Sequence, residues 1–215
     1  MSRFNPRVRL PGFITALFKD AVWRLNETER VVYLTFDDGP IPEVTPWVLE
    51  LLRKENIKAT FFCVGENVKK YPEVYLRILE EGHSVGNHTF NHWQGLKKGN
   101  REYFENIELA AGYIDSDLFR PPHGFLKRAQ YRYLKKHYRI IMWDLISCDY
   151  NFRIKPEKVY RNVTDFVRPG SVITFHDSLK AQRNLQEVLP KAISWLKEQG
   201  YRFEAVSYHK RIRNR

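Results

Sequence analysis

Cysteine and methionine are scarce in this chain of 215 residues, with two of each, and no apolar run reaches the length of a membrane span. So little cysteine excludes a disulfide framework. Cys63 and Cys148 both lie within apolar runs of strand character and read as buried, reduced thiols, a bridge between them being the lesser alternative. Near the N-terminus the apolar stretch Leu10 to Phe18 is broken by Pro11 and Gly12, and no small-residue cleavage site follows it. Neither a signal peptide nor a transmembrane helix is expected from it, and the cytoplasm is the expected location. Repeats, low-complexity tracts and linkers are missing as well, so the chain reads as one globular domain. Its 43% hydrophobic content is enough for a core without staples.

Acidic residues are in deficit: 36 Lys and Arg stand against 25 Asp and Glu, a formal charge of +11. The excess is concentrated. Lys127, Arg128, Arg132, Lys135, Lys136 and Arg139 fall in one stretch, and Lys210-Arg211-Ile212-Arg213 lies near the end of the sequence. Such patches serve solubility alone or attract an anionic partner, a membrane surface or a phosphorylated glycan carrier. No RNA-binding signature, Cys/His finger spacing or heptad accompanies them, so nucleic acid is not an expected partner. A monomer is expected.

Strand-length apolar runs alternate with longer amphipathic stretches between residues 31 and 207, the pattern of consecutive βα units around a parallel sheet or barrel. Seven strands are predicted: Val31 to Phe36, Ala59 to Val64, Ser84 to Asn87, Leu118 to Phe119, Ile140 to Leu145, Val172 to Phe175 and Phe203 to Val206. Helices are predicted between them over Glu43 to Glu55, Asn67 to Glu81, Arg101 to Ser116, Lys127 to Lys136, Pro156 to Val167 and Asn184 to Gln199. Residues 1–30 form a leader, with a helical stretch over Ile14 to Leu25, packed on a domain of residues 31–207, and residues 208–215 form a basic tail.

The polar chemistry sits at the C-terminal ends of these strands. Asp37-Asp38-Gly39-Pro40 follows the first, His88 the third, Arg120-Pro121-Pro122-His123-Gly124 the fourth, Asp149 the fifth and His176-Asp177 the sixth. In a parallel α/β barrel those ends share one face, where active sites form. Asp37 and Asp38 are adjacent acids that repel, and a cation would relieve them. With His88 and His92 they offer an oxygen and two nitrogens, a donor set for a first-row divalent ion with a position left for water and one carboxylate spare. Blander readings exist for each piece. Asp, Gly and Pro are turn formers, His-x-x-x-His by itself is weak evidence, and Arg120 is one cation in a basic chain.

Taken in order, Thr-Phe-Asp-Asp-Gly-Pro, His-Thr-x-x-His, Arg-Pro-Pro-x-Gly, an Asp after a Trp-containing strand and a strand ending in His-Asp resemble the polysaccharide deacetylase family. This is the NodB-homology type, carbohydrate esterase family four, and the resemblance runs from about Val31 to Val206. It implies a distorted (β/α) barrel of about seven parallel strands and a metal-dependent removal of N-acetyl groups from the amino sugars of an oligo- or polysaccharide, peptidoglycan- or chitin-like. By the same resemblance Asp38, His88 and His92 hold one divalent ion, Zn²⁺ before Co²⁺, Mn²⁺ or Ni²⁺. Asp37 is the base, Arg120 its partner, His176 the acid and Asp149 the carboxylate that orients it. The backbone N–H of His123 binds the oxyanion. The sequence departs from the family pattern where His123 replaces a common Tyr, Tyr150 a Trp and Thr174 a Leu. The last two positions flank the acyl group, which leaves its identity open. The alternatives are a related C–N hydrolase, such as a deformylase on a lipid-linked amino sugar, and a non-catalytic carbohydrate-binding protein.

Overall fold

The computed structural model describes residues 5–25 and 28–207. The 208–215 tail, with its basic run, lies outside the described residues. Eight short strands are all parallel: β1 Val31–Asp37, β2 Thr60–Cys63, β3 Ser84–Asn87, β4 Leu118–Phe119, β5 Arg139–Ile140, β6 Leu145–Ile146, β7 Val172–His176 and β8 Arg202–Phe203. Seven form one hydrogen-bonded path in the order β5-β4-β3-β2-β1-β7-β6, and β8 pairs with the start of β1. Among the described residues the α-helices are α1 Gly12–Thr15, α2 Thr45–Lys54, α3 Gly65–Lys70, α4 Pro72–Glu80, α5 Asn100–Ala111, α6 Arg128–Leu134, α7 Pro156–Thr164 and α8 Gln182–Glu198.

Strand β1 is buried along its whole length, and its side chains divide with the period of two that a pleated strand imposes. Val32, Leu34 and Phe36 point to the helical layer, where Val48, Leu52, Ile78, Leu185 and Leu189 join them in the main core. Val31 and Tyr33 face the concave side with Phe62, Leu118, Ile141 and Val172. This second cluster fills the barrel interior.

The strand expected over Phe203 to Val206 is β8, Arg202–Phe203, and three further predicted elements differ from the structure. The strand expected over Ile140 to Leu145 is two strands at opposite edges of the sheet: β5 pairs with β4, β6 pairs with β7, and the intervening residues cross from one edge to the other. A crossing this short spans at most about 18 Å even when extended, so the sheet must curl until its edges nearly meet. The helix expected over Asn67 to Glu81 is broken into α3 and α4 at Tyr71, whose φ of −130° and ψ of 57° are non-helical. Pro72 is the cause, because a residue before proline is disfavoured in the α region. The helix expected over Ile14 to Leu25 is only α1 and a 3₁₀ turn at Ala16–Phe18. On either side of it the backbone pairs with the sheet instead: at the edge strands Val22 N–H donates to Ile140 O, Met142 N–H to Val22 O and Ile146 N–H to Val8 O, and before β7 Leu25 N–H donates to Gly170 O. The N-terminal segment thereby covers edge groups that would otherwise be unpaired.

Across the interior, the sheet is tied together by Arg120, fully buried just past β4. Its Nε donates to Ile141 O at 3.1 Å and its Nη2 to Met142 O at 2.8 Å, while Nη1 donates to Thr35 Oγ1 at 2.8 Å and Asp37 Oδ1 at 2.6 Å. Replacing it with alanine leaves the Asp37 charge and two carbonyls without partners in a dry interior. Arg120→Ala is expected to lower stability by about 3–5 kcal/mol, read from urea unfolding of the metal-free protein. A loss below about 1 kcal/mol would show that water replaces the guanidinium at no cost.

Candidate active site

Period and register bring the first two site residues together. On the concave face β1 presents Tyr33, Thr35 and Asp37, β7 presents Val172, Thr174 and His176, and these pair rung by rung, Tyr33 with Val172, Thr35 with Thr174 and Asp37 with His176. Arg120 comes from the same face of β4, one step beyond Phe119. Its guanidinium lies over the Phe62 ring, 4.1 Å from the centroid, and holds Asp37 from below.

Asp38 sits at the turn in a left-handed conformation, φ 84°, which aspartate tolerates better than most residues. Its carbonyl accepts from Asn67 Nδ2 at 2.8 Å, and the N–H of Gly39 donates to Asp177 Oδ1 at 3.1 Å. Glycine is required there because a Cβ would lie 2.0 Å from Asp177 Oδ2. Asp177 also accepts from Thr45 Oγ1 at 2.6 Å, so it anchors the turn to α2.

His88 and His92 are on a loop rather than a helical turn, with Thr89 and His92 at φ 65° and 54°. A β-branched residue at positive φ is strained, and surrounding side chains hold it. Asn87 Oδ1 accepts from Thr89 N–H at 2.8 Å, Thr89 Oγ1 accepts from Trp93 N–H at 3.1 Å, and Asn106 Oδ1 on α5 accepts from Phe90 N–H at 2.9 Å. His88 Nδ1 lies 2.7 Å from the Arg120 carbonyl oxygen, which can only accept, so the proton is on Nδ1 and the Nε2 lone pair is free. That Nε2 is 3.9 Å from Asp38 Oδ1, and His92 Nε2 is 3.1 Å from the same oxygen. Ligand atoms of Asp38, His88 and His92 all lie within 4.8 Å of one another, a group that can hold a metal ion.

His88 and His176 are pushed in opposite directions. Burial lowers the His88 pKa to about 4, against the pull of Asp37, so it is neutral. Burial acts on His176 in the same sense, but Asp149, with Asp38 and Asp37 behind it, raises the pKa to about 9. Asp149 is fully buried; its Oδ1 lies 2.7 Å from His176 Nδ1 and its Oδ2 accepts from His176 N–H at 2.8 Å. Ser147 Oγ fixes the carboxylate at 2.9 Å. Burial opposes the charge of Asp38 too, yet the His92 hydrogen bond and the neighbouring histidines hold its pKa well below the usual carboxylate range.

These groups open into a cleft of about 430 Å³, lined by Asp37, Asp38, His88, His92, His123 and His176 on its polar side. Of the residues expected around the acyl group, Tyr150 lines the cleft with its ring edge-on to His176 at 4.9 Å. Thr174 is not among the lining residues. It is fully buried one rung below His176, its Oγ1 3.2 Å from Thr35 Oγ1. The apolar wall comes instead from Trp143, Ile146 and Phe125, which sequence reasoning missed, as it missed Arg7 and Lys180 in the lining. His123 has φ 61°, and the Trp143 ring lies so close to Gly124 that a Cβ there would be 2.1 Å from it. A larger hollow of about 690 Å³ lies behind Trp143 against the N-terminal segment, but it contains none of the histidine and carboxylate pairs and is not where this chemistry can occur.

Known proteins place this geometry in context. The family model described as polysaccharide deacetylase matches residues 24–139. A peptidoglycan-N-acetylglucosamine deacetylase of Bacillus cereus is 32% identical over 193 residues, 86% of this chain and 90% of that protein. The peptidoglycan-N-acetylmuramic acid deacetylase PdaA of Bacillus subtilis is 30% identical over 197 residues, 87% of this chain and 74% of that one. Among solved structures, the Bc1960 peptidoglycan N-acetylglucosamine deacetylase superposes with a TM-score of 0.81 at 30% identity, covering 91% of this chain and 94% of its own.

The Asp149–His176 pair yields a titration test. In the metal-free protein the His176 imidazole should titrate near pH 9 by NMR. In Asp149→Asn the value should fall well below that of the wild type, because the largest influence opposing burial is then gone. Since the folded pKa is raised, the stability linked to this proton is complete below pH 6.5 and is lost as the pH rises through about 9. An unchanged titration in the variant would remove Asp149 as the cause.

Proposed function

Since the chain belongs to the polysaccharide deacetylase family, we propose that it is a metal-dependent hydrolase that removes N-acetyl groups from the amino sugars of a glycan, with peptidoglycan as that glycan. One observation carries the reading. Around a single cleft stand a donor set of one carboxylate and two histidines, a second carboxylate held by a buried arginine, and a histidine kept charged by a buried carboxylate. The names of the Bacillus relatives support peptidoglycan as the substrate.

Asp38, His88 and His92 would hold the ion. Their oxygen and two imidazole nitrogens suit Zn²⁺ first, and Co²⁺, Mn²⁺ or Ni²⁺ accept the same donors. When bound, such an ion polarises the amide carbonyl and lowers the pKa of a coordinated water. The His88 Nδ1–H bond to the Arg120 carbonyl fixes the tautomer that this ligation requires.

Adjacent acids receive different tasks because their surroundings differ. Asp38 faces the two histidines, whereas Asp37 is pinned by Arg120 on one oxygen and keeps its other oxygen for a proton from the attacking water. His176 carries its exchangeable proton on Nε2, since Nδ1 is committed to Asp149, and delivers it to the departing amine nitrogen. The backbone N–H of His123 stabilises the oxyanion. Trp143, Ile146 and Tyr150 give the acetyl methyl an apolar wall.

Asp37→Asn should retain full metal stoichiometry by atomic absorption while turnover drops by about 10²–10⁴. His88→Ala should lose the metal itself. The assay is acetate release from N-acetylated glycans with zinc or cobalt added; no release from any of them would overturn the proposed function.

A further inference from the structure

Two cations line the cleft with no carboxylate to answer them. Arg7 and Lys180 are both exposed, and among the described residues neither forms an ion pair. The acids in the lining are Asp37 and Asp38, of which one is bound to Arg120 and the other faces His92. Neither is available to the two cations.

Both stand on the Tyr150 side of the cleft. Lys180 Nζ is 5.8 Å from the centroid of the Tyr150 ring, and that ring meets His176 edge-on. Cys148 Sγ donates to the Arg7 carbonyl at 3.6 Å, which seats residue 7 against the segment that carries Asp149 and Tyr150. Arg7 arrives from the N-terminal segment and Lys180 from the turn after β7, so the chain brings them from far apart in sequence to one wall.

Arg7 and Lys180 add two positive charges to a concave wall whose two carboxylates are already engaged by Arg120 and His92, and a concave surface concentrates that field. A neutral N-acetyl sugar does nothing to balance it. Resting on the deacetylase reading above, we propose that Arg7 and Lys180 select an N-acetylated amino sugar that carries an anionic substituent, a carboxylate or a phosphate, on the reacting ring or its neighbour. They are specificity residues and take no part in the proton transfers.

The test compares kcat/KM for three substrates of equal length: a neutral N-acetylglucosamine oligomer, a glycan containing N-acetylmuramic acid, and an N-acetylglucosamine oligomer bearing a phosphate. At least one anionic substrate should exceed the neutral one by about tenfold, with an advantage that shrinks as salt is raised. The two anionic arms distinguish carboxylate from phosphate. In the double variant Arg7→Ala/Lys180→Ala the ratio of anionic to neutral should collapse toward one, through KM rather than kcat. Efficient turnover of the neutral glycan with a wild-type ratio near one, or a ratio untouched in the double variant, overturns this inference and leaves the deacetylase reading standing. If no substrate is turned over, that reading fails instead, and calorimetric binding of the same three glycans to the metal-stripped protein decides the selectivity: equal affinities overturn it, and salt-sensitive preference for an anionic glycan upholds it.

Discussion

A guanidinium in the dry interior of a curled sheet is the constraint on which the rest of this structure depends. Arg120 can exist there only if its charge and its N–H groups are answered, and the answers come from several parts of the chain. β1 supplies Thr35 and Asp37, β2 supplies the Phe62 ring, and the segment that crosses from one sheet edge to the other supplies the Ile141 and Met142 carbonyls. Even its backbone is engaged, the N–H donating to Asn87 O and the carbonyl accepting from His88. One residue thus fixes the curvature, the orientation of the proposed base and the tautomer of a proposed metal ligand. Gly86 makes room for the arrangement, since a Cβ there would lie 2.5 Å from the Phe62 ring.

Strand periodicity does the remaining positioning. Because side chains alternate, the inward rung of β1 and β7 that ends in Asp37 and His176 continues downward as Thr35 with Thr174 and Tyr33 with Val172. The column is graded from apolar at the bottom, through hydroxyls, to ionisable groups at the cleft. Thr35 is the middle of it: its Oγ1 accepts from Arg120 and donates to Ile173 O, so the hydroxyl rung links the charge above to the strand backbone.

Much of this was legible in the sequence because the informative residues lie on regular elements. β1 and β7 are largely apolar runs, and the ionisable residues that end each of them lie at the cleft, as strand ends in a parallel fold require. Pro72 also signalled the break between α3 and α4, although amphipathic periodicity on both sides masked it. The split of Ile140 to Leu145 was not legible, since a continuous apolar run does not say that its two ends pair with opposite edges. Arg7, Trp143, Ile146 and Lys180 were missed for the same kind of reason. Their place in the cleft depends on how the N-terminal segment and the crossing segment close the sheet, and no local pattern encodes that closure. The place of Thr174 beside the acyl group rests on the family resemblance, which identifies a position on the strand but not its depth.

The contrast between His88 and His176 shows how one side chain serves two chemistries in a space this small. Loss of solvent around each drives both toward the neutral form. His88 meets a carbonyl at Nδ1, which stabilises a neutral donor and leaves a lone pair for a cation; His176 meets a carboxylate at Nδ1, which makes the cationic form the stable one. The partner atom behind His176 therefore decides whether that imidazole can act as an acid. A carbonyl behind His176 would leave it with no proton to give near neutral pH, whereas a carboxylate behind His88 would raise its basicity and still leave Nε2 for an ion. What makes an acid of one imidazole in this cleft is thus not the histidine, which the sequence displays, but the carboxylate of Asp149 standing behind His176.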